Sequence, residues 1–431
     1  MLKYFFLFIS IILLEPIIAQ KDYADFILDS LCSDEMKGRG YVSQGDLKAA
    51  QFIKREYQKI GLRKYFHLPY FQEFDFAINT FPDTLSLSIN GKVLKPGKSF
   101  LIESSSGSQK GVFSAVSIKK KQLLSVKKMM KQVGKDKLKN VFLIINKDEL
   151  KNKEEQELYH NTLMTIKQYE GFQLAGIIEK SKSKLTWNTS TKYTGIPIIQ
   201  LYSDSFPDPI KTINIHIKHH FHRAYISQNV IGFIEGTHVP DTFIYITAHY
   251  DHLGMMGGNT IFRGANDNAS GIAMLLSLAK YYKENPPKYS IMFIAFGGEE
   301  IGLLGSQYFV KHPFIPFKNI KALLNFDILG TGDEGLCIVN GVNHSEDVKT
   351  INYFNDLNQY VPKIKVRNNA PNSDHYFFAK KGVKALFFYT MGGIQAYHDI
   401  YDHPKTLSLK KFDNVLNLMI NYINYTQKII Y

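Results

Sequence analysis

The sequence predicts an α/β protein of three layers, in which helices cover both faces of a central mixed, largely parallel sheet. The first observation is a set of apolar runs too continuous to alternate, at 243–248, 291–296, 322–326 and 385–389. Such runs are typical of strands buried on both faces of a parallel sheet. The second observation is that helical patterns separate these runs. A smaller β-rich domain is predicted to be inserted before them.

The helices are predicted from apolar positions that recur every three or four residues. One helix follows Ser270, which occupies a typical N-cap position, and a long helix from about 408 to 425 comes last. Residues 22–62 have the same spacing, interrupted at Gly38 and Gly40. These glycines divide the N-terminal part into two predicted helical stretches.

Changes of pattern along the chain predict four parts. They are a signal peptide at 1–19, an N-terminal helical part of the catalytic domain at 20–79, the inserted domain at 80–210 and the rest of the catalytic domain at 211–431. Short alternating runs separated by Lys-rich segments indicate the inserted domain. The strictly alternating strand at 213–218 is assigned to the catalytic domain.

The first residues have the layout of a cleaved signal peptide. Lys3 supplies a positive charge, residues 4–14 are apolar, and Ala19 is a small residue at the cleavage position. The apolar run is too short to span a bilayer comfortably, although an uncleaved anchor is the alternative. We therefore expect an exported protein, periplasmic or secreted, with no stable membrane insertion after the signal is removed.

The composition is that of an ordinary soluble protein, with 45% hydrophobic residues and a net charge of +13. Lysines concentrate at 119–139, which we interpret as a solvated helix face in preference to an anion-binding surface. Without interleaved aromatic residues they provide no stacking platform, so nucleic acid is not an expected partner. Two cysteines, Cys32 and Cys337, either pair or remain buried free thiols.

Five short segments rich in His, Asp and Glu follow buried strands or open loops. They are AHYDH at 248–252, RGANDNASG at 263–271, FGGEE at 296–300, NFD at 325–327 and YHDIYD at 397–402. Because ligands bind beyond the carboxyl ends of the strands in open α/β sheets, these segments are predicted to share one site. Their histidines and carboxylates suit two borderline cations such as zinc.

Several residues have a chemical reason for their position. Asp251, two residues after His249, could accept the N–H of a metal-binding imidazole. Asp267 lies in a sharp loop and could bridge two cations through its two oxygens. Of the adjacent Glu299 and Glu300, one could bind metal while the other remains a free base.

Two further candidates complete the set: Asp327, which ends a buried strand, and His398, which Asp402 could orient from four residues away. Taken singly, each of these residues is more often a turn, cap or surface residue. Their coincidence after buried strands favours a metal site. Sequence motifs of rival chemistries, such as HExxH, GxSxG and the P-loop, are missing.

The ordered motifs H-x-D, G-A-x-D-N-x-S-G, G-G-E-E-x-G-L-x-G-S, N-x-D, S-D-H and Y-H resemble the dizinc (co-catalytic) aminopeptidase family of zinc exopeptidases. Relatives of that family include glutamate carboxypeptidase, the transferrin receptor ectodomain and glutaminyl cyclase. The resemblance covers about 225–405. The segments at 34–40 (DEMKGRG) and 71–74 also resemble exported bacterial members, and 80–210 resembles a diverged protease-associated domain.

The resemblance implies two Zn²⁺ per chain in the fold of the zinc exopeptidases. The implied metal ligands are His249, Asp327, Glu300, His398 and the bridging Asp267. Glu299 is implied as the general base, Asp251 as the support of His249, and the bond from Asp267 to Asn268 as a cis peptide. We read Ser373, Asp374 and His375 as pocket-shaping residues, and His252 and His403 as bystanders.

The expected function is that of an aminopeptidase, which hydrolyses N-terminal residues of peptides with a metal-activated bridging water. A glutamate-carboxypeptidase-like enzyme is an alternative, but it needs an Arg-rich clamp, and Arg263 is a single candidate. A glutaminyl-cyclase-like enzyme would need a single zinc, and a non-catalytic receptor would have lost ligands. Peptides are the expected partners. Neither the side-chain specificity nor the oligomeric state is predicted.

Overall fold

The computed structural model describes residues 18–125, 138–168, 173–206 and 208–428. Residues 1–17 of the expected signal peptide at 1–19, and much of the Lys-rich stretch at 119–139, lie outside these ranges. Within them, no helix combines the length and the apolar character that crossing a membrane requires. Cys32 and Cys337 are both buried and both free, so they do not form a disulfide.

A mixed sheet of eight strands forms the centre of the larger unit. In spatial order the strands are β1 (Phe71–Thr80), β10 (His220–Ile234), β14 (Tyr289–Phe296), β11 (Val239–His249), β15 (Ile320–Phe326), β18 (Ala385–Met391), β16 (Gly335–Val339) and β17 (Ile364–Arg367). The four neighbours β14, β11, β15 and β18 run parallel. They contain the four continuous apolar runs, so the predicted parallel core is confirmed.

Helices cover both faces of this sheet, as predicted. One layer consists of α1 (Ile18–Leu31), α2 (Gly45–Ile60), α5 (Ser270–Glu284), α7 (Ser345–Asn358) and α9 (Phe412–Thr426). The opposite layer contains α6 (Leu304–Lys311) and α8 (His375–Lys380). Ser270 was predicted as the N-cap, but it is the first residue of α5. Its hydroxyl does not cap the helix and donates a hydrogen bond to the Asn266 carbonyl at 2.7 Å.

A second sheet of eight strands forms the smaller unit. In spatial order its strands are β3 (Lys92–Val93), β2 (Ser86–Ile89), β9 (Thr212–Ile217), β5 (Gln109–Ile118), β6 (Phe142–Asn146), β7 (Gly176–Ser181), β8 (Ile198–Tyr202) and β4 (Phe100–Ile102). Helices α3 (Lys120–Leu123) and α4 (Lys153–Gln168) pack on one of its faces.

Two boundaries differ from the sequence predictions. The strand at 213–218 was assigned to the catalytic domain, but β9 pairs with β2 and β5 of the second sheet. Strict alternation is typical of an antiparallel strand with one covered face, which is what β9 is. The N-terminal part at 20–79 was expected to be helical, yet it ends in β1, an edge strand of the central sheet whose buried and exposed residues alternate.

The two units share an apolar contact next to the carboxyl end of the central sheet. A short hairpin of the larger unit, β12 (Gly254–Met256) and β13 (Thr260–Phe262), places Met256 and Phe262 in the apolar cluster of the second sheet. There the Trp187 ring stacks on Phe262, with ring centroids 4.7 Å apart. The second unit is therefore packed directly beside the edge of the sheet where the candidate residues converge.

Candidate metal centre

The carboxyl ends of the four parallel strands bring the predicted site residues together. His249 is the last residue of β11, and Asp327 directly follows β15. A cavity of about 240 Å³ opens at this edge. Its wall includes His249, Asp267, Glu299, Glu300, Asp327 and His398. Five separate segments thus form one site, as the topology of a parallel sheet requires.

Asp267 stands at the centre, with one carboxylate oxygen directed to each histidine. Its Oδ1 lies 3.3 Å from His249 Nε2, and its Oδ2 lies 3.2 Å from His398 Nε2. His249 Nε2 is also 3.3 Å from Asp327 Oδ1, while His398 Nε2 is 3.1 Å from Glu300 Oε2. The geometry divides the ligand set into two halves that share Asp267. The peptide bond from Asp267 to Asn268 is cis, as the resemblance implied.

Glu299 and Glu300 both follow β14, but their carboxylates lie close to different sets of residues. Donor atoms of Glu299, His249 and Asp327 lie close enough together to hold one ion. Donor atoms of Glu300, Asp267 and His252 form a second such group. Glu299 therefore lies among the donors of one half of the centre, although the resemblance implies a proton-transfer role for it.

His252 is not the bystander that was expected. Its ring is fully buried, and its Nδ1 lies 2.6 Å from Glu300 Oε1. Since Oε2 of the same carboxylate faces His398, the contact with His252 orients Glu300 towards the second half of the centre. The sequence offered a signal that was set aside, because His252 lies in the same segment as His249 and Asp251.

Asp251 is buried behind the centre and connects several of its parts. Its carboxylate accepts hydrogen bonds from the Tyr41 hydroxyl at 2.9 Å and from the backbone N–H groups of Glu299 and Glu300 at 3.1 and 3.3 Å. His249 Nδ1 is 3.2 Å from the Asp251 carbonyl oxygen and 3.7 Å from its carboxylate. Asp251 thus holds the Glu299–Glu300 turn as well as facing His249.

Asp402 does not orient His398, contrary to the sequence prediction. Its two carboxylate oxygens accept the backbone N–H groups of Asn266 and Asp267, at 2.8 and 3.0 Å. A four-residue spacing brings side chains together only on a helix. Residues 398–402 form irregular turns, and His398 has a φ of 52°. Asp402 therefore supports the loop that carries the bridging carboxylate.

The S-D-H motif, which was read as pocket-shaping, lies behind the cavity wall and does not line the cavity itself. The Ser373 hydroxyl donates a hydrogen bond to Asp327 Oδ2 at 2.9 Å, and it accepts one from Asn325 Nδ2 at 2.8 Å. Ser373 thereby holds the oxygen of Asp327 that faces away from His249. Burial raises the pKa of Asp374 to about 7 and lowers the pKa of His375 to about 4.

Arg39 is a buried clamp beneath the centre that the sequence analysis did not identify. The side chain is fully buried, and its donors reach backbone carbonyls along the segment that leads to Asp267. The accepting oxygens belong to Tyr250 (2.7 Å), Leu31 (3.1 Å), Arg263 (2.5 Å), Gly264 (2.6 Å) and Asp267 (3.4 Å). The flanking Gly38 and Gly40 pack directly against the β12–β13 hairpin, where an added Cβ would overlap backbone atoms. The D-E-M-K-G-R-G segment is therefore structural support for the centre.

A segment of the smaller unit also contacts the backbone of two site residues, and we call residues 184–189 the strap. The backbone N–H of Trp187 donates to the His398 carbonyl at 2.8 Å, and the Thr189 hydroxyl donates to the Glu300 carbonyl at 2.6 Å. Lys184 forms an ion pair of 2.6 Å with Asp399, and its Nζ donates to the Tyr397 carbonyl at 3.2 Å. The strap thus holds the loop that carries His398 from outside the central sheet.

The electrostatics of the chain fit two cations in this centre. Burial raises the pKa values of the Glu299 and Asp327 carboxyls. Burial lowers the pKa of His398, but the carboxylates of Glu300 and Asp267 outweigh it and raise that pKa to about 11. Four buried carboxylates need positive charge nearby to remain ionised. Divalent cations would supply it, and imidazole with carboxylate is a donor set that zinc accepts.

The comparisons with known proteins agree with this geometry. Residues 229–423 match the sequence model of Peptidase family M28. Aminopeptidase YwaD of Bacillus subtilis is 34% identical over 166 residues, which cover 37% of this chain and 35% of that protein. The chain thus spans about a third of the length of this relative.

Solved structures show the same fold over nearly the whole chain. BSAP, a zinc aminopeptidase from Bacillus subtilis, superposes with a TM-score of 0.67 and 21% identity over 95% of both chains. A Peptidase M28 precursor from Shewanella amazonensis gives a TM-score of 0.63 and 15% identity over 96% of this chain and 97% of the other. At these identities the likeness concerns the fold alone.

Proposed function

We propose that this protein is a zinc-dependent aminopeptidase with two Zn²⁺ per chain, and the match of residues 229–423 to Peptidase family M28 supports the proposal. His249 and Asp327 would hold one ion, Glu300 and His398 the other, and Asp267 would bridge them. Relatives described as a zinc aminopeptidase and an aminopeptidase support the choice of metal and reaction.

One observation carries the proposal: each oxygen of Asp267 faces a different histidine, at 3.3 and 3.2 Å. A carboxylate in a single-metal site has no reason to divide its oxygens between two donor sets. The arrangement therefore favours a dinuclear hydrolase over a glutaminyl-cyclase-like enzyme with a single zinc. A receptor-like module is disfavoured because both halves of the centre keep their ligands.

In the proposed reaction, water adds to the scissile carbonyl of a peptide and the C–N bond breaks. When bound, the two ions lower the pKa of a water between them and polarise the carbonyl. Glu299 lines the cavity, and its buried carboxyl has a raised pKa, so it is suited to take the proton of the water. Glu299 then gives this proton to the departing amine, and the products are a free amino acid and a shortened peptide.

The test is the variant Glu299→Gln, which keeps the shape of the side chain and removes the base. We expect about two zinc ions per chain in both the wild type and the variant, and a loss of turnover of roughly 10²- to 10⁴-fold in the variant. Metal analysis and the hydrolysis of aminoacyl p-nitroanilides measure the two quantities. Chelation should abolish wild-type turnover, and added zinc should restore it.

Two results would contradict the proposal. Near-normal turnover of Glu299→Gln would exclude Glu299 as the base, and a fully active enzyme with a single zinc would exclude the dinuclear centre. Hydrolysis restricted to peptides with a blocked N-terminus would instead support a carboxypeptidase. Ser277→Ala, at a buried serine of α5 that does not line the cavity, is the control for general effects of substitution.

Peptides are the proposed substrates, and we propose no nucleic-acid partner and no stable membrane insertion after signal removal. Export to the periplasm or the medium is likewise a proposal, supported by the charge and apolar pattern of residues 1–19. The inserted unit is proposed to be a diverged protease-associated domain. N-terminal sequencing of the mature protein tests the cleavage after residue 19.

A further inference from the structure

Arg367 is a cation that lines the same cavity as the acidic cluster. It is the last residue of β17, and it is half-buried. Its Nη1 donates a hydrogen bond to the Tyr389 hydroxyl at 3.1 Å. Within the part of the chain that the structure describes, Arg367 forms no ion pair, although four carboxylates line the same cavity.

The donors of Arg367 are therefore largely unused by the protein. A guanidinium presents five N–H donors in a rigid fork, and the bond to Tyr389 accounts for one of them. Arginine is almost never fully buried without a partner, and the half-buried Arg367 has no acid partner among the described residues. A guanidinium without such a partner at the wall of a ligand cavity is suited to bind a carboxylate with two parallel hydrogen bonds.

The neighbouring strands give this cation a defined setting. Val339 of β16 pairs with Arg367 on one side and with Phe387 of β18 on the other. Phe387 and Tyr389, two residues apart on β18, also line the cavity. The part of the wall formed by these strands thus combines the Arg367 guanidinium, the Tyr389 phenol and the Phe387 ring, none of which belongs to the metal-binding set.

The charges of the centre with two bound cations also favour an anionic ligand at Arg367. Two divalent cations would balance the four carboxylates that line the cavity, which are Asp267, Glu299, Glu300 and Asp327. Arg367 then adds a positive charge that no lining residue offsets. With a volume of about 240 Å³, the cavity is small enough that a group bound at the metal centre extends towards Arg367.

The geometry points to Arg367, supported by Tyr389, as a carboxylate-binding subsite, so that the substrates are short peptides with an anionic group close to the scissile bond. This inference rests on the proposed peptidase function and names its substrate class. The carboxylate has two chemical sources. One is the side chain of an N-terminal Asp or Glu, and the other is the C-terminal carboxylate of a dipeptide.

Two pairs of substrates distinguish the sources, because each pair differs only in one charge. Glutamyl and glutaminyl p-nitroanilide test the side-chain carboxylate. The dipeptide Leu-Ala and its C-terminal amide test the terminal carboxylate. For the zinc-loaded full-length protein, we expect kcat/KM to favour the anionic member of one pair by roughly tenfold or more, as a charged hydrogen-bonded pair provides.

The variant Arg367→Gln should abolish this preference, and Arg367→Lys should retain part of it, because an ammonium keeps the charge without the fork. Lys365→Gln is the matched control, since it removes a cation from an exposed position of the same strand. It should leave the preference unchanged. Zinc content, measured for all variants, separates a lost subsite from a damaged centre.

The outcomes are separable. The inference is overturned if the wild type shows no preference within either pair, or if the preference survives in Arg367→Gln. If no aminoacyl or peptide substrate is hydrolysed, the peptidase proposal fails by itself. Calorimetric titration of the zinc-loaded protein with glutamate and glutamine, and with Leu-Ala and its amide, then tests whether Arg367 forms a carboxylate-binding subsite. Equal affinities within both pairs would overturn it.

Discussion

Arg39 shows how much of this site depends on a single side chain outside the metal-binding set. Its buried guanidinium satisfies carbonyls on three segments that are far apart in sequence, among them the segment from Arg263 to Asp267. The bonds to Leu31, Gly264 and Asp267 are buried, so each of these carbonyls needs a donor from the protein. Arg39 therefore fixes the backbone from which the bridging carboxylate extends.

Replacing Arg39 by Lys should destabilise the protein although the charge is kept. A compact ammonium cannot reach carbonyls spread along a planar fork, and each buried acceptor left unpaired costs about 1–3 kcal/mol. We expect the free energy of unfolding to fall by about 3 kcal/mol in urea denaturation. The control is Arg63→Lys, at an exposed ion pair with Glu235, which should change stability by less than about 1 kcal/mol. Equal effects of the two substitutions would refute the clamp.

Asp46 predicts a pH dependence that is separate from the metal centre. Burial raises its pKa from 3.8 to about 7, against the hydrogen bonds from the Tyr225 and Ser227 hydroxyls. Because the folded value lies above the unfolded one, the folded protein binds the extra proton between about pH 4 and 7. The free energy of unfolding should therefore decrease as the pH rises through this window, by an amount on the order of 4 kcal/mol.

The variant Asp46→Asn should remove this part of the pH dependence. Urea denaturation at pH 5 and pH 7.5, at one zinc concentration, should show a smaller loss of stability for the variant than for the wild type. Asp75→Asn, at an exposed position of β1, is the matched control. If Asp46→Asn and wild type lose the same stability between these pH values, Asp46 is ionised in the folded protein throughout.

At the residue level, the sequence identified the groups that carry chemistry but not those that hold them. His249, Glu299, Glu300, Asp327 and His398 end or follow parallel strands of the central sheet, and Asp267 follows the β12–β13 hairpin, so each belongs to a local pattern. Arg39 and Arg367 reach the site through tertiary contacts that no spacing encodes. Asp402 was assigned to the wrong partner because its spacing was read as helical, whereas its segment turns irregularly.

At the level of elements, the strap joins two sheets that the sequence treated as independent. Its bonds run to backbone carbonyls of Glu300 and His398, so they would support one ligand from each of two separate loops. Lys184 adds an ion pair with Asp399, whose side chain is only 5% exposed. Partners that orient metal ligands from outside typically change metal affinity by 10- to 100-fold.

Lys184→Met should therefore weaken zinc binding by roughly tenfold, because the loop that carries His398 loses its cation. Activity measured against free zinc concentration gives the affinity, and the rate of zinc loss to a chelator gives an independent value. Lys182→Met, two residues before the strap, is the control, since Lys182 forms a long, exposed contact with Asp204. An unchanged zinc affinity in Lys184→Met would restrict the strap to a packing role.

For the whole molecule, sequence patterns predicted the layers better than the boundaries. Continuous apolar runs identified the four parallel strands because both faces of these strands are buried, whereas β1 and β9 have one covered face each. Such strands look alike in sequence whichever sheet they join, so β9 was assigned to the wrong one. The pairing of β9 with β5 and β2 depends on long-range contacts.

The region that matches the family, 229–423, should not fold by itself. Ile27, Leu31 and Ile53 of α1 and α2 are fully buried in the same apolar cluster as α5. Each such side chain contributes roughly 1.5–3 kcal/mol, against a total stability of roughly 5–15 kcal/mol for a typical domain. We expect a 220–431 fragment to lack near-ultraviolet circular dichroism and tight zinc binding, with the full-length protein as reference. A soluble fragment with full zinc affinity would contradict this.

The distance in sequence between Arg39 and its acceptors also has a consequence for synthesis. A ribosome completes Arg39 more than two hundred residues before Arg263 and Gly264, whose carbonyls the side chain must reach. Until then, α1 and α2 have no partner helix to cover their apolar faces. Contacts this remote form slowly, and nascent chains with exposed apolar surface are prone to aggregate. We therefore expect the clamp and the metal centre to form together late in folding, where a chaperone would have most effect on the yield of active protein.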